Sequence, residues 1–295
     1  MYFDIRSDLA CEMPGNGTTE NSGSRLVVES HSGGEITRLC LLDEAAASSW
    51  GRAPGEYLTI DCGCLHLLPD SLQEASARLL SRELRQMAMR VTQKSIDSDF
   101  STLVVGLGNA ALTADAIGPA TVAGLRATRH LRRVDESLYA SLSCSSLAAI
   151  VPGVLGQTGI ATIEIVKGVV DAVKPDLVVA VDALAARSLS RLSCTVQLCD
   201  SGISPGSGVG NHQAELSRRT LGVPVLSLGV PTVIRSAALV YDALQAAGIE
   251  AIDPRLEAIL HEGEGMLVSP KESDLITQAF ARLLANAISS VFGGL

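Results

Sequence analysis

The chain has 295 residues, 47% of them hydrophobic, 19% charged and only 3% aromatic, so a sizeable core can be filled mainly by Ala, Val, Leu and Ile. A formal net charge of −9, from 23 basic and 32 acidic residues, argues against a non-specific phosphate-backbone binder, and few aromatics are available to stack on bases. Nucleic acid is therefore not expected as a direct partner, while seven scattered cysteines with no secretory signal before them point to a reducing cytoplasm.

In chain order, residues 13–35 are rich in Gly, Ser, Asn and Thr and read as exposed loop around a short strand at 26–29. Further strands are predicted at 36–42 and 57–62. Pro69-Asp70-Ser71 opens an amphipathic helix to about Val91, with Leu72, Ala75, Leu79, Leu84, Met87 and Val91 along one face. From Leu103 the rhythm becomes strand, glycine turn, helix. Strands are predicted at 103–107, 160–165, 177–181, 195–199 and 224–229, with helices at 115–130, up to 173, 212–220 and 232–247. Several of these strands are apolar on both faces, as in a parallel sheet covered by helices on both sides. Residues 276–295 are apolar at helical spacing but interrupted by Arg282 and Asn286, which predicts a docking helix and no membrane span. The expected fold is α/β, a three-layer α/β/α arrangement with a mostly parallel central sheet, plus an N-terminal region of additional strands and one helix. The expected organisation is an N-terminal segment, 1–12, and a single domain over 13–295, with 101–235 as its core and C-terminal helices in 236–295.

Two aspartates, Asp115 and Asp182, each follow an apolar run that reads as a strand. The carboxyl ends of parallel strands form the crevice of such folds, so both side chains can face one substrate there. Asp115 also suits the first turn of a helix capped by Thr113. Asp182, after five apolar residues, is harder to explain structurally: a desolvated carboxylate raises its pKa or finds a partner. Two close carboxylates can share a proton, one acting as base toward water and the other as acid toward a leaving group, or can share a metal. Gly106-Leu107-Gly108-Asn109 lacks the third glycine of a dinucleotide fingerprint and the Lys-Ser/Thr of a P-loop, so its glycines are read as letting the backbone approach a substrate. The loops at 153–159 and 202–211 are dense in Gly and small polar residues and suit binding of an extended peptide. No Gly-x-Ser-x-Gly elbow or His-Glu-x-x-His helix occurs. Cys62-Gly63-Cys64-Leu65-His66 lacks the second ligand pair of a zinc site; neither metal nor cofactor is expected.

The residues resemble a specific family, the bacterial spore germination protease or GPR endopeptidase. The matching text includes Val105-Gly106-Leu107-Gly108-Asn109, Thr113-Ala114-Asp115-Ala116-Ile117-Gly118-Pro119 and Pro152-Gly153-Val154-Leu155-Gly156-Gln157-Thr158-Gly159. It continues with Asp182-Ala183-Leu184-Ala185, Gly206-Ser207-Gly208-Val209-Gly210-Asn211 and Gly229-Val230-Pro231-Thr232-Val233. Arg6-Ser7-Asp8-Leu9-Ala10 and Met266 to Glu272 look like further family segments, whereas Ala114, Ala186, Ser201 and Arg235 depart from the usual residues. The resemblance implies an endopeptidase of the spore core that hydrolyses small acid-soluble spore proteins, has a fold similar to hydrogenase-maturation proteases, and uses an atypical aspartic mechanism on Asp115 and Asp182. It also implies a homotetramer made as a zymogen and matured by self-cleavage near the N-terminus, with the removed segment very short here or the zymogen step different. Gly106, Gly108, Asn109, Gly156, Gln157, Thr158, Gly208 and Asn211 are the expected substrate-binding residues. The competing expectations are a metal-sensing peptidase of the hydrogenase-maturation type and a catalytically silent binding protein on the same fold.

Overall fold

The computed structural model describes residues 7–12, 20–21, 23–142, 144–206, 214–249, 253–262 and 266–293. Its strands are β1 (Glu20–Asn21), β2 (Ser24–His31), β3 (Gly34–Leu41), β4 (Gly55–Asp61), β5 (Ser101–Gly106), β6 (Ser146–Ile150), β7 (Leu177–Ala186), β8 (Thr195–Cys199), β9 (Val225–Arg235) and β10 (Leu267–Val268). Its helices are α1 (Glu44–Ser49), α2 (Asp70–Thr92), α3 (Ile117–Ala123), α4 (Leu131–Val134), α5 (Glu136–Ser141), α6 (Leu155–Thr158), α7 (Thr162–Val173), α8 (Arg218–Leu221), α9 (Ser236–Ala246), α10 (Pro254–Glu262) and α11 (Ser273–Ile288).

All the strands join one mixed sheet in the order β1-β2-β3-β4-β8-β9-β7-β5-β6, with β10 added beside β9. The expected parallel core is β9-β7-β5-β6. The N-terminal strands extend that same sheet, antiparallel, through the β4–β8 pair. Alternation along the central strands divides the core into two layers. Val104, Val179 and Leu226 face Leu80, Leu84, Phe280 and Leu284 of α2 and α11, while Leu103, Val105, Val178 and Ala180 face Val166 and Val170 of α7. The segment Ser273–Gly293 is long and apolar enough to cross a membrane, yet 67% of its most apolar window is buried, and α11 packs on α2 and α3. It is the docking helix its sequence predicted.

Local expectations fail where tertiary contacts decide. Residues 160–165 are not a strand: they enter α7, whose Thr162, Val166 and Val170 repeat at helical spacing on its buried face. The predicted helix 115–130 is broken into a 3-10 turn, Thr113–Asp115, and the short α3 that ends at Gly124. Residues 212–213 of the predicted helix 212–220 lie outside the described residues, and α8 begins only at Arg218. The strand β6 was not foreseen, because Ser146-Leu147-Ala148-Ala149-Ile150 is poor in β-branched residues, and its pairing with β5 supplies what propensity does not.

Candidate active site

Asp182 lies within β7, since the strand runs on to Ala186 instead of stopping at 181. The parallel pairing of β5 with β7 nevertheless ends at Gly106↔Val181. Asp182 is thus the first β7 residue past the carboxyl end of β5, which is where a crevice opens beside a parallel sheet. On its other side it pairs with Gly229 of β9, over which the Leu184 side chain lies so closely that a Cβ there would meet Leu184 Cδ1 at 2.4 Å.

Asp115 closes the 3-10 turn and is brought to this place by glycines. A Cβ on Gly106 would lie 2.5 Å from the carbonyl oxygen of Gly118, and one on Gly118 would lie 2.2 Å from that of Leu107 and 2.6 Å from that of Val181. Only at this backbone-to-backbone distance can the start of α3 rest on β5 and β7. Gly108 adopts φ +104°, where a Cβ would meet the Asp115 carbonyl at 2.1 Å. The Asn109 amide, next in the chain, donates to Asp115 Oδ2 at 2.8 Å. Gly108→Ala should therefore destabilise the protein by about 1–3 kcal/mol and, by displacing Asp115, slow catalysis about a hundredfold. Thermal melts and a peptide-cleavage assay check the two effects.

Both aspartates line one cavity of about 680 Å³, together with Leu107, Leu112, Leu155 and Thr232. An adjoining cavity of about 350 Å³ shares Asp8, Asp182, Ala183, Leu184 and Gly206 with it. Asp182 is only 5% exposed. Burial above all, then the charges of Asp115 and Asp8, hold its carboxyl well above the usual carboxylate range, opposed by the Ala183 amide that donates to Oδ1 at 2.9 Å. Burial also raises Asp115, against the Asn109 amide that favours its charged form. Burial thus holds both carboxyls up, Asp182 well above the usual range, and the charge of Asp115 adds to the rise of Asp182.

A third carboxylate, Asp8, was not singled out from the sequence. Ser7–Glu12 crosses the sheet as a strap: the Asp8 amide donates to Ala185 O at 3.0 Å, and the Ala185 amide donates back to Asp8 Oδ2 at 2.9 Å. Gln197 of β8 donates to Asp8 O at 2.9 Å and accepts from the Ala10 amide at 2.6 Å. Glu12 fixes the far end by accepting from the amides of Arg187 at 2.7 Å and Ser188 at 2.9 Å. Asp8→Asn keeps an oxygen for the Ala185 amide and removes the charge. The apparent pKa of Asp182 should then fall, moving the alkaline limb of a pH–rate profile to lower pH.

The expected substrate-binding residues divide. Gly108, Asn109 and Gly156 line the larger cavity. Gly106 instead serves the helix-to-strand packing described above. Gln157 Nε2 donates to Asn109 Oδ1 at 2.9 Å, tying α6 to the loop after β5, and the Thr158 hydroxyl bonds within its own turn, to Val154 O and Ile160 O. Gly208 and Asn211 lie outside the described residues. Among the described residues no three His, Cys, Asp or Glu side chains are arranged to hold a metal ion.

The sequence profile of the germination protease family matches residues 9–247. The chain belongs to that family. A germination protease of Caldanaerobacter subterraneus subsp. tengcongensis is 37% identical to it over 312 residues, covering 98% of this chain and 94% of the relative. That of Clostridium acetobutylicum is 34% identical, covering 97% and 94%, and that of Bacillus thuringiensis subsp. konkukian is 39% identical, covering 82% and 66%. Among solved structures, the [NiFe] hydrogenase maturation protease HycI from Thermococcus kodakarensis covers 66% of this chain and 92% of its own at 18% identity and a TM-score of 0.33, a distant likeness that carries no argument here. This germination protease is a hydrolase of peptide bonds that acts in spore germination.

Proposed function

We propose that this germination protease is an endopeptidase of the atypical aspartic type that cuts small acid-soluble spore proteins, with Asp115 and Asp182 as its catalytic pair. The observation that carries the reading is the single cavity faced by both aspartates, one half-buried and accepting from a backbone amide, the other buried with its carboxyl held well above the usual range. Ionised Asp115 takes a proton from water as the water attacks the scissile carbonyl. Protonated Asp182 donates toward the departing amide nitrogen. The glycine-rich walls, with Gly108, Asn109 and Gly156, leave room for an extended peptide backbone in the cavity.

The family resemblance extends this reading to a homotetramer in the cytoplasm of the spore core and to self-cleavage near the N-terminus, with no metal, cofactor or nucleic acid required. Sedimentation of the purified protein tests the assembly. Incubation with a purified spore protein and mass spectrometry of the fragments tests activity and bond preference together. Binding of the spore protein without any fragment over the whole pH range would favour a silent binding protein, and cleavage lost on chelation would favour the metal-dependent alternative.

A further inference from the structure

Away from this cavity, two thiols 130 residues apart in sequence lie side by side. Cys64 follows β4 and precedes the 3-10 turn Leu65–Leu67, while Cys194 immediately precedes β8. The antiparallel β4–β8 ladder ends at Asp61↔Thr195, and the Cys62 amide donates to Cys194 O at 2.8 Å just beyond it. Backbone pairing thus brings the two residues together, with their Sγ atoms 3.9 Å apart. Cys64 is exposed and Cys194 partly so. From this geometry we infer that Cys64 and Cys194 are a covalent modification site, closing into a reversible disulfide when the protein meets a peroxide-class oxidant.

Three other cysteines are shielded. Cys62, Cys144 and Cys199 are buried, and Cys199 Sγ is engaged with Ser227 Oγ at 2.9 Å and with Gly202 O at 3.3 Å. Cys64, being exposed, meets the oxidant first. Its thiolate attacks one peroxide oxygen; the S–O bond forms, the O–O bond breaks, and the hydroxide released takes up a proton as water. The Cys194 thiolate then attacks the sulfenic sulfur; the S–S bond forms, the S–O bond breaks, and a second water leaves. The two cysteines lose two electrons and two protons in all, and hydrogen peroxide is reduced to two waters.

Burial and then Cys64 hold the Cys194 thiol up at about 12. The charge contribution of Cys64 disappears once that residue is a neutral sulfenic acid, while burial, the larger cause, remains. Drawing the sulfurs to a bonding distance of about 2.05 Å calls for side-chain rotation just beyond the last ladder pair, while the Cys62 amide holds the Cys194 backbone in place.

The test is to treat the folded wild-type protein with hydrogen peroxide, block remaining thiols, and map the digest by mass spectrometry without reduction. The expected product is a Cys64–Cys194 linked peptide pair lacking two hydrogens, reopened by a small-molecule thiol. Because the bond closes the stretch from 64 to 194, oxidised protein should melt roughly 3–8 °C higher, and Cys64→Ser should show no such gain. Both thiols remaining open to alkylation, Cys194 linked to Cys62 instead, or Cys64 carried to sulfinic acid without a link would each overturn the proposal. If Cys64→Ser does not fold, the wild-type map and its reversal by thiol decide the matter alone.

Discussion

Asp182→Asn and Asp115→Asn are each expected to leave a folded protein that cleaves a small acid-soluble spore protein about a hundred- to ten-thousandfold more slowly. Asn is nearly the same size as Asp and can still accept from the Ala183 or Asn109 amide, so the local hydrogen bonds at 2.9 Å and 2.8 Å survive. What disappears differs between the two. In the proposed mechanism the Asp115 variant lacks the carboxylate that takes the proton of water, and the Asp182 variant lacks the acid that protonates the departing nitrogen. Fragment analysis by mass spectrometry, with circular dichroism to verify folding, separates lost chemistry from lost structure. Full activity in either variant would remove that residue from the mechanism. The double variant should be little slower than the worse single one, because the two groups act as a unit.

The second large effect concerns stability, and it has the opposite sign. The ordinary aspartate value is 3.8, and in the folded protein Asp182 lies well above it. Below the ordinary value the carboxyl is protonated whether folded or unfolded and adds no pH dependence. As pH rises from there toward the native value, the unfolded chain releases a proton that the native state retains. Stability that Asp182 leaves intact in acid is therefore lost progressively over this interval, and above the native value the whole penalty of a buried charge beside Asp115 and Asp8 remains. Asp182→Asn carries no such charge. The variant should melt higher than the wild type at neutral pH, with the difference shrinking as the pH is lowered toward 3.8 and vanishing below it. Paired thermal scans across pH check this, since titrating groups that do not interact with Asp182 cancel between the two proteins. An equal difference at every pH would mean that Asp182 is not held protonated by its surroundings. An inactive variant more stable than its parent is the usual signature of a site strained for its chemistry.

Much of this architecture is legible along the chain. Short apolar runs ending in glycine or aspartate mark β5 and β7, and the amphipathic pattern from Asp70 places α2 within a residue or so of its observed end at Thr92. Errors concentrate where two periodicities are both possible or where a partner overrides propensity. Ile160-Ala161-Thr162-Ile163-Glu164-Ile165 alternates like a strand, yet the next turn, with Val166 and Val170 at helical spacing, continues α7 and decides for a helix. The sequence predicts a strand ending at 229 and a helix from 232, whereas β9 runs on to Arg235; Pro231 is tolerated in it opposite Leu184, beside the register shift between Leu184 and Ala185.

Sequence by itself determined the α/β class and the strands β5, β7, β8 and β9 of the sheet, and it singled out Asp115 and Asp182 as candidates, because each depends on spacing within one segment, and burial imposes that spacing locally. Only the tertiary structure decided that Asp8 is the third carboxylate at the cavity, that Gly106 serves packing while Gly108 orients Asp115, and that Cys64 meets Cys194. Those facts are set by strand order and register between segments far apart in sequence, 177 residues in the case of Asp8 and Ala185. Such pairings satisfy backbone hydrogen bonds contributed by distant stretches of chain and leave no periodic mark in either stretch alone.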